Sequence, residues 1–472
     1  MLTAPGTHAA PAPAISAPVS AISAPRDRFV DVLRISAILV VVVQHWLMPS
    51  LSYDDETLIT GNTLATPGAW IVTWVSQAMA LVFFAGGATA MYGMRARAGT
   101  DQSPWLVDRL RRLVWPAVPL VALWVPLPHL LLAVGMPAQP VDIASRLAGR
   151  LLWFLALYVL ITALTPALVR LHRRCRGTEV AAMAGAAIVV DVVRFGALDG
   201  AEPVGYLNVL FVWAAVYQLG IAYASGSLRW AHGRRAWCLS AVGLAATALA
   251  VALGPYPSSM IGMPAEPVSN MNPPTAVLLA VAAFQLGLVL ACRPVIERWA
   301  ENRPVARGLD YLSARLMTVY VWHIPALIVV TGIGVVGYGW STPDVLSSEW
   351  RSAVPIWLAT LTLVLSVFVR LFSHVESPSD LAAASRGSAT GRGVWRGRAA
   401  TVLTGLGLLS LAVNGFAPEL ATHPAGPVGA GLAILIGSAL LHARPGTASP
   451  RRSPEPAPMG PFPSPRRGAR WG

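Results

Sequence analysis

The stretch that decides the fold is RFVDVLRISAILVVVVQH, residues 28–45. It is an apolar run of helix length, yet Asp31 and Arg34 lie near one end and His45 lies at the other. On an α-helix, Arg34 and His45 would differ by about 20° around the axis and stand about 16 Å apart along it. Asp31 and Arg34 have the i,i+3 spacing of neighbours on one face. Because an Arg or Asp at the centre of a membrane costs about 2.5–3.5 kcal/mol, this face is a candidate functional site.

The composition is that of a membrane protein. Of the 472 residues, 55% are hydrophobic and 12% are charged, whereas soluble domains carry about 25% charged residues. Apolar runs recur along the whole chain, and about 20 apolar residues are needed to cross the hydrocarbon core. The sequence therefore predicts an all-α fold, a polytopic transmembrane helical bundle in contact with the lipid bilayer.

Twelve membrane spans are predicted, ten in a core and two beyond it. A polar break, SRGSATGRGVWRGR, separates the two groups. The predicted spans cover residues 29–48, 70–93, 113–134, 151–170, 179–196, 205–224, 236–254, 274–292, 311–333, 352–373, 400–416 and 425–442.

The net charge of +13 follows from the placement of the arginines. With the N-terminus inside, most arginines lie in cytoplasmic connections, and acidic stretches such as SYDDE (52–56) lie opposite them. The positive-inside rule then predicts a multi-pass protein of the plasma membrane with both termini in the cytoplasm. Since the arginines act as topology anchors, no nucleic-acid partner is expected. The three cysteines lack CxxC spacing, so no disulfide framework or metal site is predicted.

Arg34, ten further residues and His45 form the first of six motifs that follow one another along the chain. In this order they resemble the membrane acyltransferase-3 family, whose first span carries an R-X10-H signature. The resemblance extends over residues 26–380. The other five motifs are VFFAGG (82–87), RLRRLVWP (109–116), LLWFLALYVLITALTPAL (151–168), TVYVWHIP (318–325) and HVESPSD (374–380).

The resemblance implies a membrane-bound O-acyltransferase. Such an enzyme moves an acetyl or other short acyl group from acyl-CoA to a hydroxyl of a carbohydrate, a cell-envelope glycan or a glycosylated metabolite. Acyl-CoA, in the first place acetyl-CoA, is then a donor substrate, and no permanently bound cofactor is expected. The glycan or glycosylated small molecule would be the other partner, and O-acetylation the carbohydrate modification performed.

Three residues are the expected catalytic groups: His45, Arg34 and His323. His45 is the expected base, because the unperturbed pKa of histidine lies nearest to working pH; an acyl-histidine intermediate is the open alternative. His323 would form a second polar wall that donates to the substrate or to the developing oxyanion, or else be a hydrogen-bonded packing residue.

Acyl-CoA binding is assigned to Arg109 and Arg112, with Arg28 and Arg34 extending the cationic track inward. Arg109 and Arg112 are expected in an inner loop, where guanidinium groups suit bidentate phosphate binding. Glu376 is expected to pair with an arginine such as Arg34 or Arg370. The residues assigned supporting roles are Asp31, Tyr320 and Glu376. The histidines interpreted as incidental are His129, His172, His232 and His374.

The chain is thereby divided into five segments. The division places a membrane acyltransferase core at 26–380, a cytoplasmic linker at 381–398 and two additional transmembrane helices at 399–442. A disordered Ala/Pro-rich tail is predicted at 1–25 and a disordered basic, Pro-rich tail at 443–472.

The alternative is a secondary transporter or exporter with twelve spans and both ends inside. The sequence DRLRR (108–112) fits that hypothesis in part, but the connection between the sixth and seventh spans is short and no half-to-half repeat is apparent. A purely structural or sensor protein is a third possibility. Binding of acyl-CoA would discriminate between the enzyme and the other two.

Overall fold

The computed structural model describes residues 27–97, 102–263, 266–376 and 391–442. Within these ranges the chain forms nineteen α-helices and one two-stranded hairpin. The first nine helices are α1 Arg28–Leu47, α2 Val72–Ser76, α3 Met79–Arg95, α4 Ser103–Val114, α5 Val118–Trp124, α6 Leu127–Ala133, α7 Ala138–Arg150, α8 Leu152–Cys175 and α9 Thr178–Gly196. The remaining ten are α10 Glu202–Gly205, α11 Asn208–Ser225, α12 Gly233–Leu253, α13 Val277–Ala291, α14 Arg293–Ala300, α15 Arg303–Ser313, α16 Leu316–Thr331, α17 Ser348–Phe372, α18 Gly391–Asn414 and α19 Pro427–His442.

The helices confirm an all-α membrane protein. In the described part of the chain, eight helical stretches are long and apolar enough to cross a membrane. A ninth is added if α13 and α14, bent by 59°, form one span. Helix α9 is not among them, because it carries Glu179, Asp191 and Arg194. The number of twelve spans and the placement of both termini inside stay predictions.

Helix α1 begins at a polar cap and then buries one side of an apolar run. The Asp27 side chain accepts a hydrogen bond from the Val30 amide at 3.2 Å, which satisfies an amide that the helix itself leaves unpaired. The other carboxylate oxygen of Asp27 accepts from the hydroxyls of Tyr92 on α3, at 2.7 Å, and Tyr223 on α11, at 3.2 Å. These bonds hold the start of α1 beside the ends of α3 and α11.

Helices α3 and α11 are in backbone contact through two glycines. A Cβ atom on Gly87 would lie 2.0 Å from the Tyr217 carbonyl oxygen, and one on Gly220 would lie 2.0 Å from the Phe84 carbonyl oxygen. The two contacts are reciprocal, so each helix presents a glycine to the backbone of the other. Only small residues permit this approach between helices in a membrane.

A β-hairpin follows α1, where the sequence analysis placed a loop and no strands. Strands β1 (Pro49–Asp54) and β2 (Thr57–Asn62) are antiparallel. Asp55 and Glu56 between them have φ of 42° and 61°. A type I′ turn needs positive φ at both central residues and favours Asn-Gly, so Asp-Glu gave no hairpin signal.

The segment 113–134, predicted as one span, lies mostly within one apolar helical stretch, Ser103–Ala133, that consists of several short helices. Helix α4 begins at Ser103, and a 3₁₀ turn, α5 and α6 follow it. Pro116 and Pro126 lie at the breaks, because proline supplies no backbone N–H and clashes with the preceding turn. Arg109 and Arg112 therefore lie on helix α4 and not in the expected inner loop.

Of the last two helices, α18 packs against α7 and α8, and α19 packs against α4 and α5. The Phe416 amide, just after α18, donates to the Ser145 carbonyl at 3.0 Å. Arg146 pairs with Glu419 at 2.6 Å, and the Phe416 ring lies 6.0 Å from that of Trp124. Of the predicted linker 381–398, residues 381–390 lie outside the described part.

Candidate active site

The site lies where α1 packs against α15 and α16. Near the start of α1, Arg34 donates to the Ser313 hydroxyl, with Nη2 and Oγ 2.5 Å apart. Eleven residues later, His45 Nδ1 lies 2.8 Å from His323 Nε2. Ser313 is the last residue of α15 and His323 lies on α16, so the two contacts are about 16 Å apart along α1. The Trp46 indole N–H donates to the His323 carbonyl at 3.0 Å and fixes the register at this end.

The two imidazole rings meet edge to edge. Their planes differ by 4° and their centroids are 5.1 Å apart. That separation is the 2.8 Å between the nitrogens plus the two ring radii, so the nitrogens point at each other within a shared plane. The contact is a well-directed hydrogen bond rather than a face-to-face stack.

The tautomer of each histidine follows from the backbone carbonyl of Tyr320, the last acceptor in a row of hydrogen bonds that starts at His45. His323 Nδ1 lies 2.6 Å from the Tyr320 carbonyl oxygen, which only accepts, so Nδ1 carries the proton. A neutral His323 then accepts at Nε2, and His45 must donate from Nδ1. In a neutral His45 the lone pair is left on Nε2. The helix backbone thereby sets which nitrogen of His45 can take up a proton.

The two histidines differ in access. His323 is fully buried, whereas His45 is half-buried. Among the described residues, no group hydrogen bonds to His45 Nε2. The Tyr320 hydroxyl donates to the Leu151 carbonyl at 2.6 Å. This hydrogen bond joins α16 to the start of α8, so Tyr320 contributes to the packing of the helices. His45 is thus the member of the pair that a substrate can meet.

Asp31 lies beside Arg34, as their spacing predicts. The Asp31 carboxylate is 5% exposed and lies 3.5 Å from the Arg34 guanidinium. The helix spacing places Arg34 about 16 Å from His45, too far for both to touch the same reacting atom. Arg34 is therefore suited to holding a distant part of a long substrate.

The three other predicted arginines engage different partners. Arg28 forms an ion pair with Asp310 at 2.5 Å. Arg109 donates to the Thr89 hydroxyl at 2.9 Å, and Arg112 is exposed. The charge of Arg28 is therefore neutralised by Asp310.

Two further predictions concern the ion pair of Glu376 and the binding of a metal ion. The side chain of Glu376 lies outside the described residues, so its expected ion pair has no structural counterpart here. Within the described ranges, no three His, Cys, Asp or Glu side chains are grouped so as to hold a metal ion.

Sequence reasoning missed the groups that complete the site. Ser313, Asp310 and Trp46 bond to the site residues or to Arg28. Ser313 and Arg34 are 279 positions apart, and no periodicity links residues at such a separation. The amphipathic pattern of α15 predicts which side of that helix is buried, but it does not predict which residues contact that side.

The hydrogen bond from His45 to His323 gives a testable difference between two substitutions at position 323. His323→Gln retains a side-chain acceptor for the His45 Nδ1–H, whereas His323→Leu leaves that donor buried without one, at a cost of about 1–3 kcal/mol. We expect acyl transfer by His323→Leu to be about tenfold or more slower than by His323→Gln, measured as initial rates with equal amounts of folded protein. Equal rates would contradict the tautomer assignment.

The fold and the site describe an all-helical membrane protein with two hydrogen-bonded histidines between α1 and α16. A family model described as an acyltransferase domain matches residues 27–372, and the chain belongs to this membrane acyltransferase-3 family. The resemblance and the acyltransferase class are thereby confirmed, and the transporter hypothesis loses its support. No curated protein and no solved structure matches the chain.

Proposed function

We propose that this membrane acyltransferase moves an acetyl or other short acyl group from acyl-CoA to a hydroxyl of a carbohydrate, a cell-envelope glycan or a glycosylated metabolite. The observation that carries the proposal is the histidine pair, in which His45 Nε2 has the lone pair and His323 anchors the opposite side of the ring. Such a base needs no cofactor to activate a hydroxyl.

In the proposed reaction, His45 Nε2 removes the proton from the acceptor hydroxyl as its oxygen attacks the thioester carbonyl. Positive charge then develops on His45, and the Nδ1–H bond to His323 stabilises it. The tetrahedral intermediate collapses, the carbon–sulfur bond breaks and the leaving thiolate takes the proton from His45. Positioned proton transfer of this kind contributes about 10²–10⁴-fold to the rate.

The donor would lie along α1, with its thioester at His45 and its phosphates toward the other end. Arg34 would hold the arm between them, and Arg109 and Arg112 would bind the phosphates. The elongated shape of acyl-CoA fits the distance of about 16 Å between Arg34 and His45. With the start of α1 on the cytoplasmic side of the plasma membrane, the donor enters from the cytoplasm and the acceptor meets His45 in the outer half.

Binding of acetyl-CoA to the purified full-length protein tests the donor. A ligand at about 100 times its dissociation constant stabilises the native state by about 2.7 kcal/mol. We expect acetyl-CoA to raise the thermal stability of the wild type, and the Arg109→Ala/Arg112→Ala double variant to lose that shift. The His45→Ala variant should retain the thermal shift, because His45 is proposed to contact only the acyl end of acetyl-CoA.

The matched control is Arg234→Ala/Arg235→Ala, which removes the same charge from two exposed positions at the start of α12. This control should keep the shift. If acyl-CoA of no chain length stabilises the wild type, the donor assignment fails. If both double variants lose the shift equally, the phosphate site is not at Arg109 and Arg112.

A further inference from the structure

A second cluster of reactive side chains lies where α8, α9 and α11 meet. His172, in the last turn of α8, and Glu179, in the first turn of α9, are each 4% exposed. His172 Nδ1 lies 2.5 Å from the Glu179 carboxylate, and Nε2 lies 2.8 Å from the Ser225 hydroxyl and 3.2 Å from that of Ser227. The sequence analysis treated His172 as incidental, but its ring is bonded at both nitrogens.

Two left-handed turns bring these side chains together. Arg176 and Gly177 have φ of 53° and 114°, so the chain reverses after α8 and returns Glu179 to His172. The Gly177 amide donates to the second carboxylate oxygen of Glu179 at 2.7 Å and fixes its orientation. At the end of α11, Gly226 has φ of 86° and places the Ser227 hydroxyl 3.0 Å from that of Ser225.

The order of the hydrogen bonds is that of a nucleophile, a base and an orienting acid. The Glu179 carboxylate accepts from His172 Nδ1–H, so a neutral ring has its lone pair on Nε2, toward Ser225. The Ser225 hydroxyl lies 2.9 Å from the Ala222 carbonyl, and it can donate to His172 once it turns away from that carbonyl. Ser227 can then donate to Ser225. Serine nucleophiles are activated by a histidine that a third group holds in this way, on unrelated folds.

The hydroxyl end of the cluster is open and positively charged. Ser227 is exposed and Ser225 is half-buried. Arg95 donates to the Ala224 and Ser225 carbonyls at 2.6 and 3.1 Å. Arg229 lies on the other side, with Nε 3.1 Å from the position of a Cβ on Gly226. Two guanidinium groups beside the backbone of residues 224–226 favour an anionic substrate.

The cluster is separate from the histidine pair. Ser225 is two residues beyond Tyr223, whose hydroxyl bonds to Asp27 at the start of α1. His45 lies 18 residues further along that helix, or about 27 Å away. The acyl-transfer mechanism above uses none of the residues of this cluster.

We propose that Ser225, His172 and Glu179 form a second site, which cleaves acyl thioesters such as acyl-CoA by way of an acyl-serine. Ser225 Oγ attacks the thioester carbonyl and its proton passes to His172 Nε2. The carbon–sulfur bond then breaks, and the leaving thiolate takes that proton. Water, deprotonated by His172, attacks the acyl-serine, the proton passes from His172 to Ser225, and the carboxylic acid is released and loses its own proton to solvent.

The proposal goes beyond the transfer reaction and is tested without an acceptor. Full-length His45→Ala protein, in which the other site is silenced, is incubated with acetyl-CoA, and the released thiol is measured. We expect the rate of thiol release to exceed that of a protein-free sample. Combining His45→Ala with Ser225→Ala or with His172→Gln in one protein should lower this rate by about 10²-fold or more. A fluorophosphonate probe should label Ser225 in the otherwise unchanged protein.

Ser366→Ala is the control, since that exposed hydroxyl on α17 donates only to a carbonyl of its own helix, at 2.7 Å. It should leave thiol release unchanged. Release that vanishes in His45→Ala, or persists when Ser225 is replaced, overturns the second site, as does absence of the probe from Ser225. The labelling needs no substitution, so a variant that fails to fold does not decide the result. Failure here leaves the stabilisation by acetyl-CoA and its dependence on Arg109 and Arg112 untouched.

Discussion

Replacement of His45 by glutamine should lower the rate of acyl transfer by about 10²–10⁴-fold. Glutamine can still donate to His323 Nε2 through its amide, so the packing beside α16 is kept. Its amide nitrogen is not basic, because the lone pair is delocalised into the carbonyl group, so the acceptor hydroxyl stays protonated. The measurement is the initial rate at which labelled acetyl from acetyl-CoA enters alkali-labile esters in a carbohydrate extract of cells that make the protein.

His374→Gln is the matched control for this change. His374 is exposed in the short 3₁₀ turn after α17 and makes no hydrogen bond to another described residue. We expect it to retain the wild-type rate, while His45→Gln loses transfer and keeps the acetyl-CoA thermal shift. Transfer at a wild-type rate by His45→Gln would exclude His45 as the base, and loss of the thermal shift as well would indicate damage to the fold.

The polar face of α1 was predictable because it is a property of one helix. The spacing of Asp31, Arg34 and His45 determines their positions on a helix without knowledge of any other element. The all-helical membrane fold was equally accessible, since each apolar run must satisfy its own backbone hydrogen bonds in lipid. The ordered motifs added the family, which the match over residues 27–372 confirms.

The partners of that face were not predictable in the same way. His323 is 278 positions from His45, so neither periodicity nor propensity relates them. The order of the motifs predicted His323 as a site residue. It did not predict the hydrogen bond to the Tyr320 carbonyl, which determines which nitrogen of His323 is protonated. The contacts of His172 were hidden for the same reason, since its hydroxyl partner Ser225 lies 53 positions away on another helix.

Gly220→Ala is expected to be strongly destabilising, although alanine favours helices. The new methyl group would lie 2.0 Å from the Phe84 carbonyl oxygen and 2.8 Å from the Ala88 amide nitrogen, and both are backbone atoms that no rotamer change can move. Helices α3 and α11 would have to separate, at a cost of about 1–3 kcal/mol or more for overpacking. The start of α1 would move with them, because Asp27 is bonded to Tyr92 and Tyr223.

Gly185→Ala is the control for Gly220→Ala, because it makes the same substitution inside another helix of the same protein. Gly185 lies inside α9 with no atom within 4 Å of its Cβ position, so only the helix preference for alanine, about 1 kcal/mol, applies there. The apparent melting temperature in detergent should therefore fall in Gly220→Ala and stay level or rise in Gly185→Ala. Gly87→Ala should behave like Gly220→Ala, because it meets the Tyr217 carbonyl from the opposite helix. If both core variants melt at the wild-type temperature, α3 and α11 are not in backbone contact, and the placement of α1 against them is wrong.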